Sequence, residues 1–157
     1  LILVAYQYCI LNRMLSISHA LTGAFIAVKV GNPALAIPLI LLSHYIEDAI
    51  PHWDVGTGLT KGVKSPTLAL RHEFIDLTIS GLLVIIMFNQ HGITPYWGAF
   101  LALVPDLLEA PRNFWKWEPV WLAPLNRFHH SFHHSIPRMW DGLAPQLLLL
   151  ILLWIFH

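Results

Sequence analysis

Five apolar stretches divide the chain, each closed by residues that stop a helix. The first, 16–30, carries small residues at Ala20, Gly23, Ala24 and Ala27, a composition that lets helices approach closely, and Gly31-Asn32-Pro33 ends it. A second run over 34–50 is bounded by Pro51, and Pro38 near its start is tolerable within a membrane helix. Residues 54–66 hold three glycines, two lysines and Pro66 and read as a solvated connection. A third helix is predicted over 67–88 and a short turn over 89–95. A fourth helix over 96–108 opens with the interfacial pair Tyr96 and Trp97 and is stopped by Pro111. Between 112 and 141, Trp115, Trp117, Trp121 and Trp140 mix with Arg and His, which suits an amphipathic segment lying in a headgroup layer. The last helix is predicted over 143–156. Residues 1–11 are apolar but too short to span a bilayer, and they lack the basic region of a secretory signal. Met14 opens a more natural beginning, so 1–13 read as an N-terminal extension.

Composition turns this pattern into an expected fold class. With 157 residues, 56% hydrophobic and 11% charged, the chain has little polar surface with which to cover a water-soluble globule. The expectation is an all-α, single-domain integral membrane bundle over 1–157, with about five short transmembrane helices and one interfacial segment. The runs fall short of the roughly 20 residues of an ideal span, so they are expected to extend through their polar ends. Crossing alternately, the helices put Arg13, Lys61, Lys64, Arg71, Arg112, Lys116, Arg127 and Arg138 on one side and only Lys29 on the other. The positive-inside rule makes the first side cytoplasmic and places the protein in a bacterial inner membrane with the lipid bilayer as its partner. A formal net charge of zero argues against a nucleic-acid partner. The single Cys9 excludes an internal disulfide and cysteine-based zinc sites, leaving His and carboxylates to hold any metal. Oligomeric state is not legible.

The candidate chemistry converges on the predicted cytoplasmic end. His129, His130, His133 and His134 place four imidazoles in six residues, and at helical spacings of three and four they can clamp a metal. His19 lies in the first turn of the first helix. His44 and Asp48 share an i, i+4 face near the end of the second, with Glu47 beside them and His52 and Asp54 beyond. His72 and Asp76 repeat the spacing at the start of the third helix, with Glu73 between, and Asp106 and Glu109 close the fourth. Ionisable residues at membrane depth are costly and therefore functional, and paired His and Asp on successive helices suit a metal. Glu47, Glu73 and Asp54 also fit partners that orient the ligands, and Glu118 and Asp141 read as surface residues. His91 and His157 fall at the opposite end.

Ser18-His19-Ala-Leu-Thr-Gly-Ala, Ile50-Pro51-His52-Trp53-Asp54, Val104-Pro105-Asp106-Leu-Leu-Glu109 and His129-His130-Ser131-Phe132-His133-His134-Ser135 together resemble the YdjM-like membrane-bound metal-dependent hydrolases. The resemblance covers most of the chain between Ser18 and Ser135. It implies that His19, Asp54, His129 and His134 are metal residues and that Asp106 stands in a Pro-Asp element. The chain departs from the family pattern at His52, His130 and His133, which replace Asp, Arg and Thr, so a different ligand set is open. A more distant likeness links His44-Tyr-Ile-Glu-Asp48 and Pro51-His52 to zinc-dependent phospholipase C.

The expected function is a membrane-embedded hydrolase that uses a divalent metal, zinc with manganese or iron as alternatives, on a lipid-like phosphoester at the headgroup layer. Expected metal residues are His19, His44, Asp48, His52, Asp54, His72, Asp76, His129, His130, His133 and His134. Glu47 and Asp106 have catalytic roles, and so does Arg71 as a phosphate-holding group, with Arg112 and Arg127 as alternatives. Two other classes compete. His130-Ser-Phe-His133-His134 fits one His box of a di-iron membrane oxygenase or desaturase, although that class resembles three such boxes. A non-catalytic metal-binding protein would show a coordinatively closed site.

Overall fold

In the computed structural model of the chain, residues 16–53, 64–132 and 139–157 are described. Among them are six α-helices: α1 (Ser16–Val30), α2 (Pro33–Ala49), α3 (Pro66–Phe88), α4 (Thr94–Trp115), α5 (Ala123–Phe132) and α6 (Met139–Phe156), with a 3₁₀ turn at Asn89–His91. Local chemistry sets several ends. Asn32 caps α2 by accepting from the Ala34 amide at 2.9 Å, and Ser65 caps α3 by accepting from Leu68 at 3.2 Å. In both helices a proline with its preset φ occupies the first turn, where its missing N–H costs nothing. α2 stops as Ile50 turns extended before Pro51, the conformation a following proline enforces.

α1 is the organising element and packs against α2, α3, α4 and α6. Its side chains are buried on most faces, as suits a helix with no polar stripe. Against α4 the approach is backbone to backbone: a Cβ on Gly23 would press on the Gly98 carbonyl and lie 2.6 Å from the Ala102 Cβ. Small residues at this crossing let the two helices bring His19 and the end of α4 to the same region. Ile17, Leu21, Ala24, Val84, Phe88 and Leu153 form one apolar core, and Ala27, Ala36, Ile40 and Ala102 a second.

Several expectations are corrected here. Among the described residues no helix is both long and apolar enough to cross a membrane. α1 and α2 have only 15 and 17 residues. α3 is long enough but carries Arg71, Glu73 and Asp76, α4 carries Asp106, Glu109 and Arg112, and α6 opens with Asp141, Pro145 and Gln146. The transmembrane bundle and the inner-membrane localisation are therefore overturned, and with them the assignment of a cytoplasmic side. The excess of apolar residues lies instead on outward helix faces such as Leu35, Leu42, Phe74, Ile86 and Ile151, and exposed apolar faces of this kind mark interaction surfaces. Pro111 does not stop the fourth helix. α4 continues to Trp115, because a proline sacrifices one backbone hydrogen bond while keeping helical φ, and the helix ends only where Lys116 adopts a left-handed φ of 55°. The expected interfacial segment becomes the end of α4, the separate helix α5 and the start of α6.

Candidate metal centre

The last turns of α2 present His44 and Asp48 on one buried face, as their i, i+4 spacing requires. α5 is laid across them by an aromatic seam, with Tyr45 edge-on to Phe128 at 5.4 Å and against Phe132 at 5.5 Å. That docking drives His129 inward. Its Nε2 stands 2.8 Å from Asp48 Oδ2, His44 Nε2 stands 3.2 Å from the same oxygen, and the two imidazole nitrogens are 3.1 Å apart. α4 adds Asp106, whose Oδ1 lies 3.5 Å from His129 Nε2 and 3.9 Å from His44 Nε2. One donor atom from each of the four residues falls within 4.8 Å of the others. A tetrahedral ion with bonds of about 2.05 Å needs ligand atoms roughly 3.3 Å apart, and these separations bracket that value. His44, Asp48, Asp106 and His129 therefore form a group able to hold a metal ion. Three are buried, and Asp106, with its side chain 35% exposed, forms the open edge.

The second nitrogen of His129 is also engaged. Glu109 Oε2 lies 3.1 Å from His129 Nδ1, and Arg112 holds Glu109 at 3.1 Å. Arg112 also reaches Glu118 at 3.7 Å, and Asn126, buried one turn before His129, donates to Glu118 at 2.8 Å. A carboxylate behind a histidine fixes its ring and raises its basicity, the usual support for a metal ligand. His19 on α1 has the same arrangement, with Nδ1 2.8 Å from Glu47 Oε2 and Nε2 3.4 Å from Asp48 Oδ1. His52 donates from Nδ1 to the Ile50 carbonyl at 2.7 Å and turns Nε2 to within 4.0 Å of Asp48 Oδ1. Its backbone is seated against α6 at Gly142, where any Cβ would collide with Trp53, and Gln146 donates to the carbonyls of Trp53 and Gly142 at 3.1 and 2.8 Å.

Without a cation, this carboxylate ring favours protons. Burial works against the charged form of His129 and is the largest single effect. Hydrogen bonds to Asp48 and Glu109, with the fields of Asp106 and Asp48, outweigh it and hold the pKa at about 9. Burial opposes charging His19 too, but Glu47 and Asp48 raise its pKa well above the ordinary imidazole value. Burial, then the charges of Asp48 and Asp106, push the Tyr45 phenol upward.

The other expected residues are placed elsewhere. His72 and Asp76 are buried on α3, where Asp76 Oδ2 accepts from the Ser16 amide at 2.8 Å and Glu73 accepts from the Ser16 hydroxyl at 2.7 Å. These carboxylates tie α3 to the first turn of α1, where negative charge also suits the helix dipole. His130 faces outward on α5, and Arg71 is exposed on α3 in a shallow hollow with Leu70, Phe74 and Ile75. Asp54, His133 and His134 lie outside the described residues. His91 and His157 both pack on Phe88, at the end of α3 away from His72. The sequence offered no role for Asn126 or Gln146, placed Glu118 on the surface, and offered Arg112 only as an alternative phosphate holder, whereas in the structure it pairs with Glu109 and Glu118. Glu109 was legible, since its i+3 spacing from Asp106 puts both on one face, and so was Glu47, which orients His19.

A cavity of about 250 Å³ opens on the side of His19 and His52, the two histidines facing Asp48 Oδ1, and none of His44, Asp48, Asp106 and His129 lines it. Ser18, His19, Ser43, Glu47, His52 and Gln146 border it together with Ile46, Ile50, Pro145 and Leu149, and the surface they present to it is almost wholly apolar. Fold and site together define a helical bundle with a buried His and carboxylate group able to hold a metal. No protein family, curated protein or solved structure matches this chain.

Proposed function

We propose that this chain is a metal-dependent hydrolase acting on a phosphoester that carries an apolar group, with zinc as the metal. The observation that carries the reading is the His44, Asp48, Asp106 and His129 group itself, buried on three members and open at Asp106, with a largely apolar cavity on the far side of Asp48 at His19 and His52. A structural zinc site closes its coordination with protein atoms, whereas a catalytic one keeps a reachable position; here His44, Asp48 and His129 would be the three buried donors and the exposed Asp106 side the reachable position. Mixed imidazole and carboxylate donors suit zinc or manganese. His44, Asp48, Asp106 and His129 would hold the cation, which would supply Lewis acidity toward a phosphoryl oxygen and lower the pKa of a nearby water.

The chain's own residues do the rest. Glu109 and Glu47 hold the rings of His129 and His19 in orientation. Glu47 also borders the cavity and would serve there as the acceptor of a proton from water. The apolar wall formed by Ile46, Ile50 and Leu149 receives the substrate's hydrocarbon part and excludes water around it. The test is hydrolysis of aryl phosphomonoesters, aryl phosphodiesters and short-chain phospholipids by zinc-loaded protein, with Asp48→Asn and His129→Ala as inactive controls. Zinc-loaded protein that cleaves none of these substrates overturns the proposal, and a preparation that retains iron and consumes oxygen replaces it with the oxidative class.

A further inference from the structure

Asp48 faces two sets of histidines, one with each carboxylate oxygen. Oδ2 meets His44 Nε2 and His129 Nε2 at 3.2 and 2.8 Å, while Oδ1 meets His19 Nε2 at 3.4 Å and His52 Nε2 at 4.0 Å. The second set has its own logic. His52 Nδ1 lies 2.7 Å from a backbone carbonyl, which can only accept, so that nitrogen carries the proton. His19 Nδ1 lies 2.8 Å from the Glu47 carboxylate, which favours a proton there as well. With each Nδ1 engaged from behind, both rings are turned so that their Nε2 atoms face the same Asp48 oxygen, the arrangement of supported metal ligands. All three residues are only 1–3% exposed, so the arrangement is shielded from solvent. The two separations from Oδ1, 3.4 and 4.0 Å, exceed a good hydrogen bond and suit donor atoms arranged round one ion, where ligand edges run from about 3.3 Å upward.

We propose that the chain binds two divalent cations bridged by Asp48: one at His44, Asp106 and His129, the other at His19 and His52. The inference rests on the first group holding a metal. It makes Asp48 a bridging ligand rather than a member of one site. Carboxylate-bridged ions lie about 3.5 to 4 Å apart and can contact two oxygens of one phosphoryl group. The second position is the one that faces the cavity, since His19 and His52 both line it. The pair thus assigns the substrate end of the site to the His19 and His52 ion.

Metal content and Mn(II) electron paramagnetic resonance test this without reference to activity. Metal-stripped protein titrated with Mn(II) is expected to take up two ions per chain and to show the multiline spectrum of an exchange-coupled pair. His52→Ala is expected to bind one ion with an uncoupled six-line spectrum, and His19→Gln, which keeps side-chain bulk beside Glu47, to do the same. Circular dichroism confirms that each variant is folded. One ion per wild-type chain at saturation, or two ions without coupling, overturns the bridge and leaves the first site standing. No tightly bound ion overturns both readings.

Discussion

Raising the pH of the metal-free protein from 6.5 to 9 should destabilise it, and the size of the effect follows from His129. In the folded chain its imidazole is held at about 9 by Asp48, Glu109 and Asp106 against the cost of burial. In the unfolded chain it titrates near 6.5. Below that pH both states carry the proton and the interaction contributes fully. Between the two values the folded state binds more protons than the unfolded, so stability falls as pH rises and the contribution is gone above 9. A separation of roughly 2.5 units at about 1.36 kcal/mol per unit gives about 3 kcal/mol as the full span. His19, raised for the same kind of reason by Glu47 and Asp48, adds to the loss with the same sign. Urea unfolding in chelator, followed by circular dichroism at half-unit pH steps, reads the slope directly. It should approach 1.36 kcal/mol per pH unit or more near pH 8, and His129→Asn should flatten it. With zinc present the trend should reverse, because the ion competes with protons for His129 and binds more tightly as they leave. A metal-free stability that is level or rising from pH 6.5 to 9 would refute the placement of these imidazoles among ionised carboxylates.

Four further outcomes are expected. Zinc at about a hundred times its dissociation constant should stabilise the folded chain by roughly 2.7 kcal/mol, a rise of about 5 to 10 °C in Tm by scanning calorimetry, and Asp48→Asn should abolish the rise. Glu109→Gln should weaken zinc binding about 10- to 100-fold in a competition assay with a chromophoric chelator, since it supports the ring of His129 from behind. His130→Ala and Arg71→Ala, both on exposed faces, should leave zinc affinity unchanged in that assay. Gly98→Ala should cost roughly 1 to 3 kcal/mol in urea unfolding, because the added Cβ meets Ala27 at 2.5 Å and the α1 backbone.

Much of the secondary structure was written locally. Gly31-Asn32-Pro33 separates α1 from α2 where expected, and Ser65-Pro66 starts α3 within a residue of the expected position. Such signals involve only neighbouring residues, so no partner is needed to read them. The pairing of His44 with Asp48 and of Asp106 with Glu109 was equally legible, since spacing alone puts each pair on one helix face. The continuation of α4 through Pro111 was not, because whether a proline ends a helix depends on the packing and ion pairs beyond it, such as Arg112 with Glu109 and Glu118.

What the sequence determined by itself is periodicity: which residues share a face, where helices start, and that His and carboxylates rather than thiolates must hold any metal. Which face meets which was decided only by the tertiary structure. Adjacent residues on a helix point about 100° apart, so of His129 and His130 only one can turn inward, and the seam from Tyr45 to Phe128 and Phe132 selects His129. His72 and Asp76 have the same spacing as His44 and Asp48, yet Asp76 meets the first turn of α1 while Asp48 meets four imidazoles. Hydropathy likewise could not say whether an apolar run spans a membrane, because that depends on the length of the helix around it and on charges such as Asp76 and Asp106 within it. Periodicity is a property of one segment, whereas a site built from α1, α2, α4 and α5 exists only once the close contact of Gly23 with Gly98 has brought those segments together.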